Sequence, residues 1–122
     1  MDVDEFKEIF AEEAITHLSA FERGILALEK NAADIEAIND IFRAVHTMKG
    51  AAGMVGLGAT LRFAHAAESY LDEVRSGSEA LNKEKVSLLL SVHDALKLLI
   101  EKEIAGNIGA VLESTIANLV AN

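Results

Sequence analysis

Apolar residues recur at three- and four-residue intervals along most of the chain, the spacing of one face of an α-helix. The pattern predicts five helical segments, over about 4–30, 34–56, 59–75 and 82–103, and a short one after residue 107. Asp34 and Asn82 have the side chains preferred at helix N-caps, and glycines near 56–58 and 76–78 end the second and third segments. Because the connections are short, we expect consecutive helices to be antiparallel.

The apolar faces of these segments are wide enough to form a shared core. We therefore expect an all-α fold, an up-down antiparallel four-helix bundle with an additional C-terminal helix, and a single domain over residues 1–122. The expected core residues are Phe6, Ile9, Phe10, Ile25, Leu28, Ile38, Ile41, Phe42, Val45, Met48, Phe63, Ala67, Tyr70, Leu71, Val74, Val86, Leu89, Leu90, Leu96, Ile100 and Ile104, with Val111, Leu112, Ile116, Leu119 and Val120 in the last helix.

Composition narrows the functional classes. The chain has no cysteine, which excludes disulfides, thiolate metal sites and thiol nucleophiles and fits a reducing, cytoplasmic location. Its net charge of −9 argues against nucleic acid or an anionic membrane as a partner. No apolar stretch approaches the length of a membrane span, and the chain does not open with a signal-peptide pattern, so we expect no membrane insertion.

One segment of this acidic chain, which we call the acid-free window, contains no Asp or Glu; it covers positions 41–67. The charged and titratable side chains in this window are Arg43, His46, Lys49, Arg62 and His65. A buried helix pair would explain the window, because buried helices carry few charges. The alternative explanation is a site adapted to a negatively charged group.

His46 lies in this window beside an unusually bare helix surface. Gly50 and Gly53 follow it by four and seven residues, so all three lie on one helix face. A glycine inside a helix costs roughly 1 kcal/mol relative to alanine. Two on one face indicate that another molecule approaches the imidazole closely. Arg43 and Lys49 share this face.

A hairpin of the second and third helices brings residues at equal distances from its turn together. With Leu57 as the centre, His46 pairs with Glu68 and Lys49 pairs with His65. A carboxylate that accepts the proton of one imidazole nitrogen fixes the tautomer and directs the other nitrogen outward as a nucleophile. No further base or oxyanion hole is evident nearby. The pattern therefore favours phosphoryl transfer, which depends mainly on positioning and charge neutralisation, with a partner supplying the rest.

The run His46-Thr47-Met48-Lys49-Gly50-Ala51-Ala52-Gly53-Met54-Val55-Gly56-Leu57 resembles the signature of histidine-containing phosphotransfer (HPt) domains. It is most similar to that of the amino-terminal phosphotransfer domain of chemotaxis-type histidine kinases (CheA). The segment before it, Ile41-Phe42-Arg43-Ala44-Val45, and the later His65-Ala66-Ala67-Glu68 also resemble the family. The resemblance covers nearly the whole chain. Val55 departs from the family pattern, because many relatives have an aromatic residue there.

The resemblance implies a role for each residue of the hairpin site. His46 would be the phosphorylated residue and Glu68 would hold its second ring nitrogen. Lys49 and His65 would lie beside the phosphoryl group. No cofactor and no metal ion are implied.

The resemblance also implies two protein partners. Gly50 and Gly53, together with Arg43, would leave room for a histidine kinase catalytic domain and for a response-regulator receiver domain to dock. Because the sequence features of the ATP-binding domain are absent, the chain itself is expected to be a phosphocarrier. It is then either a free-standing carrier or an excised domain of a larger kinase, and the likeness to the chemotaxis type favours the excised domain.

Two other protein classes stay open at this stage. A helical-bundle metal site could use His46, His65 and Glu68, but bundle di-iron sites need Glu-x-x-His on two helices and two further glutamates. Here the order is His-x-x-Glu and it occurs once. An interaction bundle that has lost its phosphoacceptor is disfavoured by the intact His46 and Lys49.

Three residues outside this site have ordinary structural explanations. His17 and His93 have no comparable neighbours in the sequence, so we expect them at the surface or at the bundle edge. Gly24, inside the first helix, is expected to permit close helix packing.

Overall fold

The computed structural model describes residues 3–77 and 80–106, which contain four α-helices. These are α1 (Val3–Lys30), α2 (Ile35–Met54), α3 (Gly58–Arg75) and α4 (Lys83–Ile104). The predicted segments match them closely, except that Gly58 begins α3 and does not help to end the helix before it. The predicted C-terminal helix lies outside the described residues.

The four helices form a closed ring of neighbours. α2 packs against α1 and α3, and α4 also packs against both of them. Within the described residues the diagonal pairs, α1 with α3 and α2 with α4, have no Cα atoms within 8 Å of each other. With short turns between them, the helices alternate in direction and confirm the predicted up-down four-helix bundle.

Capping side chains and one glycine turn set the ends of the helices. Asp34 and Asn82 each accept a hydrogen bond from the backbone N–H three residues later, at 3.1 and 2.9 Å, and so cap α2 and α4. α2 ends where Gly56 adopts a φ of +78°, which L side chains rarely adopt. The N–H of Leu57 then donates to the carbonyl of Ala52 at 2.9 Å.

Most of the expected core residues are buried, but three expectations are wrong. Phe6 and Ile9 in α1 and Leu90 in α4 are large apolar side chains with 46, 42 and 41% of their surface exposed. α1 has 28 residues against 20 in α2, so its first turns extend beyond the helix packed beside it. Apolar spacing alone does not show where a longer helix loses its neighbour.

Gly24 lies at a close approach of α1 and α2. A Cβ atom on this residue would lie 2.5 Å from Cγ1 of Ile41, which is closer than real side-chain contacts. The prediction that Gly24 permits close packing is therefore confirmed. This contact fixes α2, which carries His46, against α1.

The first turn of α3 is capped by a residue from another helix. The N-cap residue of this helix, Leu57, makes no side-chain capping hydrogen bond. The first backbone N–H groups of the helix donate instead to the buried carboxylate of Glu103 in α4. Oε2 of Glu103 accepts from the N–H of Ala59 at 2.9 Å, while Oε1 accepts from both the N–H and Oγ1 of Thr60 at 2.7 Å. Sequence reasoning missed this role. The available signal was an acid in the last turn of a helix, where the helix dipole disfavours it.

The prediction that His93 lies at the surface or at the bundle edge is wrong, because this residue is buried between α4 and α1. Its side chain is only 7% exposed. Nε2 donates to the backbone carbonyl of Leu18 in α1 at 3.1 Å, and the ring packs edge-on against Phe21 with centroids 5.3 Å apart. A buried polar group is retained when its hydrogen bonds are satisfied, as here. His17 lies half-buried at the rim of a groove between α1 and α2, as predicted.

Candidate functional site

His46 projects from the middle of α2 into solvent. Its side chain is 62% exposed, although Val45 and Met48 on either side of it in the sequence are buried. Nδ1 of the imidazole lies 2.5 Å from Oε2 of Glu68 on α3. The hairpin pairing predicted from the sequence is therefore confirmed.

Glu68 uses both of its carboxylate oxygens. While Oε2 faces His46, Oε1 accepts a hydrogen bond from Nζ of Lys49 at 2.8 Å. Burial of the carboxyl group would raise its pKa, but the hydrogen bonds and charges of Lys49 and His46 outweigh this and hold the pKa of Glu68 below its ordinary value. Glu68 is therefore an anion at neutral pH.

This arrangement leaves one imidazole nitrogen open. A carboxylate only accepts hydrogen bonds, so the proton of neutral His46 lies on Nδ1 and the lone pair lies on Nε2. Among the residues that the structure describes, no side chain is hydrogen-bonded to Nε2. His46 therefore presents a nucleophilic nitrogen to solvent.

Two residues that sequence reasoning left out of the site extend from His46, the first beside the imidazole and the second over the first. The ring of Phe42, one helical turn earlier, is nearly parallel to the imidazole, with centroids 6.1 Å apart and planes inclined by 7°. The guanidinium carbon of Arg75, in the last turn of α3, lies 3.8 Å from the centroid of the Phe42 ring. The spacing of four residues between Phe42 and His46 was the available signal, because such residues are neighbours on a helix.

Lys49 and His65 lie on the same part of the hairpin surface. Together with Leu61 and Arg62 they line a surface cavity of about 380 Å³. His65 and Arg62 are exposed, whereas Lys49 is held by Glu68 and is 21% exposed. Three basic side chains thus line one cavity, and Lys49 connects it to Glu68, the partner of His46.

The two glycines after His46 are not required by internal packing. A Cβ on Gly50 would have no neighbour within 4 Å, and one on Gly53 would meet Leu61 at an ordinary 3.8 Å. Arg43, on the same face, is exposed and forms an ion pair with Asp40. The surface beside the imidazole is therefore open, and the fold alone gives no reason for glycine there.

The metal-site alternative has no ligand set in the structure. Across residues 3–77 and 80–106, no three His, Cys, Asp or Glu side chains gather closely enough to hold a metal ion. The carboxylate of Glu68 is instead shared between His46 and Lys49. No helix in this part of the chain has the length and apolar character needed to cross a membrane.

Comparison with known sequences gives one family. The model of the Hpt domain matches residues 5–110. The chemotaxis protein CheA of Rhizobium meliloti is 42% identical over 96 residues, which cover 79% of this chain and 13% of that protein. CheA of Bacillus subtilis is 30% identical over 109 residues, covering 89% of this chain and 16% of that protein. The chain therefore spans less than a fifth of the length of these relatives.

Solved structures agree with the sequence comparison. The phosphorylated P1 domain of CheA3 from R. sphaeroides, solved in complex with CheY6, is 29% identical, with a TM-score of 0.85 over 97% of this chain and 94% of that one. The CheA phosphotransferase domain from Thermotoga maritima is also 29% identical, with a TM-score of 0.78 over 85% of this chain and 99% of that one. Together with the match over residues 5–110, these likenesses show that the chain belongs to the Hpt domain family.

Proposed function

We propose that this chain is a phosphocarrier in a phosphorelay. His46 accepts a phosphoryl group on Nε2 from the catalytic domain of a histidine kinase and passes it to an aspartate of a response-regulator receiver domain. The observation that carries the proposal is the state of the imidazole, with Nδ1 held by Glu68 and Nε2 open to solvent. The phosphorylated state and the CheY6 complex of a similar domain support it.

The first step forms a bond between Nε2 of His46 and the γ-phosphorus of ATP. The bond from that phosphorus to the oxygen of ADP breaks, and ADP keeps the electron pair. The imidazole then carries positive charge, with its proton still on Nδ1, and the carboxylate of Glu68 stabilises that charge at 2.5 Å. Glu68 acts here as an orienting anion, in the manner of the carboxylate of a catalytic triad.

The second step reverses these changes. A carboxylate oxygen of the receiver aspartate bonds to phosphorus, the bond from phosphorus to Nε2 breaks, and the electron pair returns to the imidazole. The residues of this chain bind, orient and neutralise charge, and the partners supply the ATP site and the acceptor carboxylate. The same surface of His46 therefore has to meet two partners in turn.

The basic residues near His46 suit an anionic modification. Lys49, His65 and Arg62 line one surface cavity, and Lys49 also contacts Glu68, the partner of His46. In a chain with a net charge of −9, these groups offset the negative charge that the phosphoryl group brings. We assign Lys49 and His65 as its neighbours.

The docking surface for both partners is the open face around Gly50, Gly53 and Arg43. The glycines leave the approach to Nε2 clear, and their cost in helix stability has no compensation inside the fold. A partner domain that packs over this face gives them a function. Arg43, which is exposed and paired with Asp40, lies at its edge.

We also propose the setting of this domain. The CheA relatives are about six times as long as this chain, since the aligned 96 and 109 residues cover only 13% and 16% of them. The chain is then a single Hpt unit, the phosphotransfer domain of a CheA-like sensor kinase that works in the cytoplasm. The absence of cysteine fits such a reducing compartment.

The direct test is labelling with a cognate kinase and radiolabelled ATP. The wild-type chain should acquire a label that is labile in acid and stable in base, as expected of a phosphoramidate. His46→Gln should acquire none, whereas the matched control His17→Gln should be labelled. A label on His46→Gln, or a label that survives acid, would overturn the proposal.

A further inference from the structure

One hydrogen bond does not orient the imidazole of His46 completely. The bond from Nδ1 to Glu68 fixes the tautomer, but the ring can still pivot about it, because the terminal torsion of histidine has a broad energy well. The side chain is 62% exposed, so surrounding atoms constrain it only in part. The direction of the Nε2 lone pair therefore needs a second constraint.

The ring of Phe42 lies beside the imidazole and nearly parallel to it. The two rings are inclined by only 7° and their centroids are 6.1 Å apart, within the range of favourable offset aromatic pairs. This offset pair favours one tilt of the imidazole, whereas the hydrogen bond to Glu68 lies in the ring plane. Together they limit both the position and the tilt of the imidazole.

Phe42 is itself held from α3. Its side chain is only half-buried, and the guanidinium of Arg75 lies over its ring at 3.8 Å, in the geometry of a cation–π contact. Nη2 of Arg75 also donates to Oδ1 of Asp72 at 2.9 Å, which restrains the guanidinium. Arg75 thus clamps the aromatic ring that supports His46.

The spacing along the two helices explains why these contacts occur together. Phe42 and His46 are four residues apart on α2, and Glu68 and Arg75 are seven residues apart on α3, so each pair lies on one helix face. In the antiparallel hairpin, Glu68 meets His46 and Arg75 meets Phe42. One face of α3 therefore fixes the phosphoacceptor at two points.

We infer that Phe42 and Arg75 are positioning residues that hold the imidazole plane of His46 for in-line attack on phosphorus. This inference rests on the proposed function and goes beyond it, since neither residue touches the reacting atoms. They act on the rate of transfer, because reaction requires aligned orbitals as well as proximity. They do not act on partner affinity.

Transfer kinetics with an ATP-loaded kinase domain separate these effects. Phe42→Leu should lower the maximal rate by about tenfold with little change in KM. Arg75→Gln should lower it by about threefold, the effect of losing one partly exposed cation–π contact. Phe42→Tyr should restore the rate. The control Lys97→Gln, which removes one exposed positive charge from α4, should transfer like the wild type.

A double variant tests whether Arg75 acts through Phe42. If it does, Phe42→Leu with Arg75→Gln should be no slower than Phe42→Leu alone. Additive losses, or variants that raise KM and leave the maximal rate unchanged, would overturn the inference. If Phe42→Leu fails to fold, the test is whether Arg75→Gln lowers kcat and leaves KM unchanged. The Arg75 side chain is 40% exposed, so this variant should fold.

NMR of the His46 ring gives a readout that does not depend on transfer. The ring protons should show a ring-current shift that Phe42→Leu removes, while the proton stays on Nδ1. Unchanged ring-proton shifts in that variant would contradict the stack.

The two experiments distinguish failure of the proposed function from failure of this inference. If the wild type takes no label but shows this shift, the proposed function fails and the positioning contact stands. If the wild type is labelled and the variants transfer normally, only the positioning inference fails.

Discussion

His46 and His93 have the same kind of neighbour beside Nδ1 and opposite situations at Nε2. Each has a carboxylate oxygen near Nδ1, from Glu68 at 2.5 Å and from Asp94 at 3.0 Å. Nε2 of His93 is used up by the carbonyl of Leu18 inside the contact between α1 and α4. The side chain of His46 is 62% exposed, and within residues 3–77 and 80–106 no side chain is hydrogen-bonded to its Nε2. A carboxylate beside an imidazole therefore does not by itself make a phosphoacceptor, and an open second nitrogen is also needed.

Two glycines show the same contrast between a closed and an open region. Gly24 is required because a Cβ there would lie 2.5 Å from Ile41, where α1 meets α2. A Cβ on Gly50, beside His46, would meet nothing within 4 Å. The first glycine serves the fold, and the second has a reason only if another molecule covers it.

Replacing each histidine in turn should separate function from stability most strongly. His46→Gln should abolish phosphoryl transfer and change the free energy of unfolding by less than about 0.5 kcal/mol, because the side chain is exposed. His93→Ala should still be phosphorylated but should lose about 2–3 kcal/mol of stability through the cavity and the unpaired carbonyl. Labelling and urea denaturation measure the two effects. Equal stability losses in both variants would contradict the contrast.

Removing the charge of each partner carboxylate tests which imidazole is used. Glu68→Gln should slow transfer by about tenfold or more, since a hydrogen bond to a charged group contributes roughly 1.5–3 kcal/mol. Asp94→Asn, the matched change beside His93, should transfer at the wild-type rate. Single-turnover labelling provides the comparison. Equal rates for Glu68→Gln and Asp94→Asn would remove Glu68 from the mechanism.

Adding a methyl group to each glycine should have opposite effects on stability. Gly24→Ala should destabilise the fold by about 1–3 kcal/mol through overpacking against Ile41. Gly50→Ala should stabilise it by up to about 1 kcal/mol, because alanine is the better helix former and has room. Chemical denaturation measures both.

The longer variant Gly50→Glu then tests the docking surface. It should fold but transfer poorly, because an acidic side chain would cover the face and repel the phosphoryl group. Gly50→Glu that transfers at the wild-type rate would show that no partner uses this face.

The smallest expected effect is the pH dependence that Glu68 contributes. Its pKa is lower in the folded protein than in the unfolded chain, so the folded state binds fewer protons. The resulting stability is present above the unfolded value, about 4.3, and is lost as pH falls through the lower folded value. Denaturation at pH 7 and pH 3 should therefore show a larger acid loss for the wild type than for Glu68→Gln. Identical losses would mean that the contacts of Glu68 do not stabilise its anion.

The four-helix bundle and the contact between His46 and Glu68 could both be predicted from the sequence. Helix periodicity and caps such as Asp34 locate the helices, and a short turn leaves a hairpin little freedom to slide. Counting from Leu57 therefore placed the carboxylate opposite the imidazole. The residue pattern already favoured phosphoryl transfer, but the spacing alone also allowed a metal site, and the family resemblance then implied a role for each residue.

Periodicity could not predict the contacts that depend on rotamers and on the meeting of distant helices. It treats histidine as polar, so the burial of His93 against Leu18 was missed. It also gives no sign that Glu103 would cap α3 from α4. The stack of Arg75 on Phe42 depends on side-chain torsions and on the packing of α3 against α2.

The central claim is that Nε2 of His46 is the phosphorylated atom because Glu68 occupies Nδ1. The most direct measurement is a long-range ¹H–¹⁵N spectrum of the phosphorylated, ¹⁵N-labelled protein, with phosphorus coupling used to assign the modified nitrogen. The predicted result is phosphorus on Nε2 of His46 and a proton on Nδ1. Phosphorus on Nδ1 of His46, or on any other residue, would contradict the account.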